Sequence, residues 1–362
     1  MKLEVLKEDF QKALQLVQHS VSSRSVMPIL SGVKIEARGD GVELLTTDLE
    51  SSSITRCTAN VENEGTCVVS HKILLDLFRD SKDVKLILEL EGNELQVRGE
   101  NNLFRIFTMP VDDFPSAPDV SVLIVDGLDE SAFSRSVQAV SKAASRDEKR
   151  PTLTGIYVEI DEDEIRMVST DSYRLAVKRI KDGYTAVEKG SYIVPAAPLL
   201  NFSRLIKGEG TIKIYRDDNA GQLKFEDQSM KFTVRLIEGK FPRYEQFIPE
   251  KTEKTLEIKK EEFLNALKRV SLVNSTVKLQ IGEGKVVVNT ESRDVGEGKE
   301  TLVVDYAGEP MTIAFNGKFL EDGITSIEGD TVVMGVNEPL KPGLIKEKEG
   351  EDFIYIIMPI RI

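Results

Sequence analysis

The chain has only two cysteines, two histidines and no tryptophan among 362 residues. Cys57 and Cys67 form no C-x-x-C pair, so a reducing compartment with buried or free thiols fits better than a disulfide framework. His19 and His71 each lack a second ligand at metal spacing, so neither a metal nor a cofactor is expected. No run of about 18 apolar residues occurs, which argues against a membrane-spanning helix. The start, "MKLEVLKEDF", alternates and carries charge, unlike a secretory apolar region. The apolar ending "DFIYIIMPIRI" is too short for a bilayer anchor. A cytoplasmic protein without a membrane partner is the expectation. The missing tryptophan and the 30% of charged residues lean towards a heat-adapted source.

Catalytic signatures are scarce as well. "GEGK" at 282–285 and 296–299 lacks the spacing and the Ser or Thr of a phosphate-binding loop. There is no G-x-S-x-G elbow and no H-E-x-x-H. Acid pairs such as Asp112–Asp113 and Glu261–Glu262 belong to a chain with 61 acids and read as surface. "STDSYRLA" (169–176) brings hydroxyls, Asp171 and Arg174 together without a base, which suits a binding loop or a salt pair. A protein without enzymatic activity is expected.

What the chain does contain is repetition. "KEDFQKALQLV" (7–17), "DESAFSRSVQAV" (129–140) and "KKEEFLNALKRV" (259–270) align Phe10, Phe133 and Phe263, then Leu14, Val137 and Leu267. Apolar steps of four and three place one stripe on each helix, and acids open each segment as a helix N-terminus prefers. "VELLTTDLESSSI" (42–54) returns as "IRMVSTDSYRLAV" (165–177) and more weakly as "VVVNTESRDVG" (286–296). A short strand and a second amphipathic helix then recur in "VVSHKILLDLFRD", "IVPAAPLLNFSRLI" and "IAFNGKFLEDGI", followed each time by strand pairs that read as antiparallel hairpins.

The aligned phenylalanines stand 123 and 130 residues apart, a domain-sized period. The expectation is an α+β chain with three copies of a two-helix, antiparallel-sheet domain: 1–117, 118–249 and 250–362. Proline-bearing linkers, "DDFPSAPDV" (112–120) and "FPRYEQFIPEKTEK" (241–254), mark the boundaries.

Net charge is −13, which by itself argues against a nucleic-acid partner. Its distribution argues otherwise. The helical segments 7–19, 71–82, 129–150, 196–207, 259–270 and 316–325 carry 0, +1, +1, +2, +2 and −1. That is +5 against −13 for the chain, so the strands and loops hold −18. Lys12, Arg135, Lys142, Arg146, Lys268 and Arg269 fall largely off the apolar stripes, towards solvent. Such a face could be merely solvated; its recurrence favours one that meets a phosphate backbone without reading bases.

The triplication, the basic helices, "MPIL" (27–30), "TDSYRLAV", "EGKFPRYEQFIP" and "YIIMPIRI" together resemble the bacterial DNA polymerase III β subunit, the sliding clamp, over essentially the whole chain. The resemblance implies the DNA clamp fold: a head-to-tail homodimeric ring, helices lining the hole and sheets outside, encircling duplex DNA without sequence preference. It implies a processivity factor that tethers the DNA polymerase III α subunit, the clamp loader, other polymerases and repair proteins through short linear peptides. A scaffold of the same fold without DNA encirclement is the alternative.

Family DNA contacts carry over to Arg24 and to the region of Lys149 and Arg150, alongside Lys12, Arg135, Lys142, Arg146 and Lys268. Pro151 and Thr152 stand where the family often has aromatics, and Ala196 and Ala197 where it often has basic residues. The family's dimer seam maps to Phe104 and Ile106 against Leu272 and Val273, positions that could equally be plain core. Its partner pocket maps to Leu153, Thr170, Ser172, Tyr173, Arg174, Leu175, Pro242, Phe247, Ile356 and Met358. Ser172 and Tyr173 replace the Gly-His of the commonest family loop, T-D-G-H-R-L. The tail then reads as the closing strand of the third copy, with alternate residues in the core and Ile356 and Met358 shared with a partner's peptide: a strand edge that doubles as a docking site.

Overall fold

A computed structural model describes residues 1–22, 27–219, 221–350 and 352–361. Six α-helices appear where the repeats require them: α1 Lys7–Val17, α2 His71–Asp80, α3 Glu130–Ser141, α4 Ala196–Leu205, α5 Lys260–Val270 and α6 Gly317–Thr325. Their apolar stripes are buried, with Phe10, Ala13, Leu14 and Val17 on α1 and Phe263, Ala266, Leu267 and Val270 on α5. Phe10 lies 4.6 Å from Phe78 and Phe133 lies 6.0 Å from Phe202, so the aligned phenylalanine of the first two copies packs on the second helix of its own copy. Two caps are conventional, since Asn316 accepts from Lys318 N and Phe319 N, and Ser70 from Ile73 N. The first helix of each copy starts differently. Lys7 N, Glu130 N and Lys260 N donate to the carbonyls of Val84, Gly210 and Asp330, so one orphan donor per helix is satisfied by the main chain just before a strand of the same copy.

The chain divides into two compact units. The first holds 1–131, 184–188 and 204–236; the second holds 132–183, 189–203 and 237–362. In the first unit a five-stranded sheet belongs to the first copy alone, while a nine-stranded sheet joins five strands of the second copy to four of the first. The second unit has an eight-stranded sheet with four strands each from the second and third copies, and a four-stranded sheet of the third alone.

Six strands govern how copies join: β1 Ser51–Thr58, β2 Leu103–Phe107, β3 Arg174–Ile180, β4 Met230–Arg235, β5 Gly296–Val303 and β6 Phe353–Ile357. The last strand of the second copy, β4, runs antiparallel to β1 of the first, with Val234 opposite Ser51 and Met230 opposite Thr55. The last strand of the third copy, β6, runs antiparallel to β3 of the second, with Ile357 opposite Arg174 and Phe353 opposite Lys178. By the same pattern β2 and β5 are left over. Each lies at the edge of its sheet, with one strand neighbour among the described residues.

The tail departs from the sequence expectation. β6 is not an edge: β3 flanks it on one side and the strand Gly343–Glu347 on the other. Phe353, Tyr355, Ile356 and Ile357 are all buried. Both rows of main-chain groups are consumed and both faces are covered, so apolar residues at consecutive positions are what an interior strand needs. Past it, Ile360 N donates to Ala314 O at 2.7 Å. The stretch 241–254 is likewise more than a bare linker. Phe241 stacks on Tyr157 with ring centres 5.0 Å apart, and Tyr244 is buried.

Candidate peptide pocket and nucleic-acid surface

Between Thr170 and Arg174 the second unit makes a tight turn held by its own side chains. Asp171 Oδ1 accepts from Tyr173 N (2.9 Å) and Arg174 N (3.1 Å). Thr170 Oγ1 accepts from Ser172 N (3.1 Å) and donates to Arg174 O (2.6 Å). This closure forces Ser172 into the left-handed region, at φ 80°. The first copy repeats the arrangement. Asp48 Oδ1 accepts from Glu50 N and Ser51 N, Thr47 Oγ1 binds Leu49 N and Ser51 O, and Leu49 has φ 75°. Ser172 and Leu49 are the two left-handed non-glycine residues among those described.

The turn forms one wall of a pocket of about 150 Å³ lined by Thr170, Ser172, Arg174, Leu175, Pro242, Tyr244, Phe247, Ile356 and Met358. Leu175 and Ile356 face each other across the β3–β6 ladder and share a core with Val168, Val177 and Tyr244. Pro242 and Phe247 come from the end of the second copy, past its last strand, where a short helical turn spans Glu245–Phe247. Met358, just past β6 and 37% exposed, donates its N–H to Tyr173 O at 2.8 Å. Apolar walls with a flexible thioether at the rim suit an extended peptide carrying apolar side chains.

The structure therefore gathers eight of the ten residues assigned to the pocket from the sequence. Leu153 is buried but does not line it, and Tyr173 projects outward beside it. Tyr244 lines the pocket and was missed, although it sits two residues after Pro242 in an aromatic-rich stretch. Its hydroxyl accepts from Arg166 Nη1 at 3.1 Å, and Arg166 also grips Glu159 and Glu164. Burial pushes the Tyr244 hydroxyl above the ordinary tyrosine range, against the pull of Arg166, so it stays neutral.

The basic candidates fare unevenly. Arg24 lies outside the described residues. Lys12, Arg146, Lys149 and Lys268 are exposed. Arg135 is exposed and pairs with Glu328 at 3.4 Å, while Arg150 pairs with Asp147 and donates to Ser172 Oγ. Lys142 is a correction: it does not point to solvent. Its ammonium donates to Thr325 Oγ1 (2.8 Å) and Ser326 Oγ (3.1 Å) at the end of α6, and burial lowers its pKa. Arg269 is exposed as expected and is held at the surface by Glu300 through both Nε and Nη2.

Of the seam candidates, Phe104 on β2 is 45% exposed, Leu272 is 84% exposed and Val273 is half-buried. Ile106 turns inward to the core of the first unit. Ile73 and Leu77 on α2 accompany Phe104 in a wide groove of about 710 Å³, which also carries Asp76, Asp80 and Asp83. Amphipathic periodicity marks α2 in the sequence but does not single out this apolar pair. Among the described residues no cluster of His, Cys, Asp and Glu could hold a metal ion, and no helix is long and apolar enough to cross a membrane.

Three copies of a two-helix α+β unit, with neighbouring copies sharing sheets and an apolar peptide-sized pocket beside the second such ladder, define the DNA clamp class. Family models bear this out along the chain. The N-terminal, central and C-terminal domains of the DNA polymerase III beta subunit match residues 1–118, 127–243 and 245–361. The chain belongs to that family, the bacterial sliding clamps. The beta sliding clamp of Streptomyces coelicolor is 29% identical over 381 residues, with both chains covered in full. The crystal structure of the Thermotoga maritima DNA polymerase III beta subunit superposes with a TM-score of 0.91 at 27% identity, covering 100% of this chain and 99% of that one. A Bartonella birtlesii sliding clamp, solved with griselimycin bound, gives 0.94 at 27% identity with both chains covered in full.

Proposed function

We propose that two of these chains close head to tail around duplex DNA and hold replication proteins by short peptides in the pocket. The observation that carries this reading is the pair of unused strand edges. In both such pairings within the chain, the closing strand of one copy pairs with the strand after the Thr-Asp turn of the copy before it. β2, which closes the first copy, and β5, which follows Thr290–Glu291 of the third, are the remaining members of that series. A second chain offering its β5 to β2 continues the rule and leaves neither edge open. Phe104, Ile73 and Leu77 would face Leu272 and Val273 across that seam, with Ile106 supporting them from within.

The division into copies at 1–117, 118–249 and 250–362 follows the repeats. The two compact units cut across the second copy because each of its half-sheets pairs with a different neighbour. Lys12, Arg24, Arg135, Arg146, Lys149, Arg150 and Lys268 are assigned to the phosphate backbone, with contacts that are weak singly and salt-sensitive together. Such contacts permit sliding, because none reads a base. The reading includes no chemistry on the DNA, a cytoplasmic setting, and partners comprising the polymerase III α subunit, the clamp loader and other polymerases and repair proteins.

The test is retention of the protein on circular against linearised DNA with a clamp loader and ATP present. Retention on the circle with loss after linearisation is expected. Equal retention on both would make the protein a scaffold that does not encircle DNA.

A further inference from the structure

Arg174 is the one charged side chain lining the pocket, and it is fully engaged before any peptide arrives. Nε donates to Asp171 Oδ2 at 3.0 Å and Nη1 to Asp322 Oδ2 at 2.6 Å. The guanidinium lies 4.1 Å over the Phe319 ring, and only a tenth of the side chain is exposed. Asp322 is itself mostly buried, on α6 of the third copy, and does not line the pocket. Tyr355 completes the enclosure, its hydroxyl donating to Phe319 O at 2.9 Å.

The first copy shows that the turn does not need an arginine. Asp48 closes the same turn with Ser51 in the place of Arg174, and Ser51 Oγ simply donates to Asp48 Oδ1 at 3.1 Å. In the second copy, then, the arginine serves something other than the turn. It ties the turn to α6 and sets the charge that the pocket presents. Asp171 and Asp322 offset the guanidinium, and Lys318, which does not line the pocket, lies 3.1 Å from the other oxygen of Asp322, so no unpaired cation faces an incoming acid. A carboxylate placed in this pocket would be desolvated opposite a cation already paired twice.

We infer that Asp322, from outside the pocket, sets its charge selectivity: by neutralising Arg174 it restricts the pocket to peptides whose anchoring side chains are uncharged and apolar. The inference rests on the reading of the pocket as a peptide site and adds a specificity-determining residue outside it. Asp171 reaches only Nε of Arg174, through Oδ2, so without Asp322 the Nη1 end of the guanidinium has no carboxylate against it. Asp322→Asn keeps the shape and one acceptor oxygen while removing the charge, so Asp171 becomes the one carboxylate paired with the guanidinium and the cluster is one unit more positive towards the pocket.

The experiment uses the full chain and two short labelled peptides. One is neutral with adjacent leucines; the other has the second leucine replaced by aspartate. Anisotropy titrations on the natural protein should favour the leucine peptide by about 100-fold or more, the cost of leaving a desolvated carboxylate without a free partner. With Asp322→Asn that preference should shrink by about 10-fold, mostly through tighter binding of the aspartate peptide. Circular dichroism checks that the variant is folded, and Asp322→Glu, which restores the charge, should restore the preference. If neither peptide binds the natural protein, the pocket reading itself fails. If the leucine peptide binds but the preference is the same in the natural protein and the folded Asn variant, the role given to Asp322 is wrong. An Asn variant that unfolds while Glu restores neither fold nor preference would make Asp322 a structural residue, and would also overturn the inference.

Discussion

Two residues of the tail line the same pocket, yet they should respond to truncation in opposite ways. Ile356 is 2% exposed and central in β6, with main-chain partners on both sides and Val168, Leu175, Val177 and Tyr244 around its side chain. Cutting it to alanine opens a cavity in a covered sheet, at a cost of about 2–5 kcal/mol. Met358 lies beyond the strand, 37% exposed, and its position is fixed by the main-chain bond to Tyr173 O rather than by its side chain. Met358→Ala should therefore change stability by less than about 1 kcal/mol. Its loss should appear in binding instead. A rim contact that covers an apolar anchor contributes about 1–2 kcal/mol, or a 5- to 30-fold loss of affinity.

Because the chain has no tryptophan, urea unfolding is best followed by far-ultraviolet circular dichroism, with anisotropy of a short neutral leucine peptide as the binding assay. Ile356→Ala should lower the unfolding midpoint of the second unit, and Met358→Ala should raise the peptide Kd while leaving that midpoint in place. Deleting 356–362 should unfold the second unit rather than silence binding alone, since it removes the last two residues of an interior strand. A Met358→Ala protein as destabilised as Ile356→Ala, or one that binds peptide unchanged, would refute the separation of roles.

The other predictions concern the turn and the seam. At Ser172, with φ 80°, glycine should be neutral or stabilising by up to about 1 kcal/mol, whereas valine should cost more than about 1 kcal/mol; thermal unfolding that cannot tell the two apart would count against a strained turn. Leu272→Ala combined with Val273→Ala removes exposed apolar surface from one side of the proposed seam, and sedimentation should shift towards monomer as concentration falls. An unchanged dimer would move the seam elsewhere.

Repetition made the fold legible. One apolar stripe read three times is far harder to produce by accident than one helix, and all six helices lie where their segments placed them. The pocket was legible for a different reason. Its residues sit in three short stretches, "TDSYRLAV", "FPRYEQF" and "YIIMP", each recognisable by family resemblance. What escaped was whatever depends on which strand neighbours which. The tail's composition suits an interior strand, but alternation alone could not say that β3 would cover its second side. Lys142 has the pattern of a solvent-facing lysine on its own helix, and only the approach of α6 from the third copy encloses it. Tyr244 was hidden because a proline-bearing stretch reads as connector, while it packs against Tyr157 and Arg166 on strands of its own copy, far back in the sequence.

The shared ladders bear on how such a chain could be taken apart. A fragment cut at the repeat boundaries would carry each copy's helices and both its half-sheets, yet would strip the neighbour from β1, β3, β4 or β6 and leave a bare main-chain edge. Excised single copies should therefore aggregate or pair with whatever strand is at hand. Each compact unit is one copy joined to half of the second, so the repeat of the sequence is not the repeat of the packing.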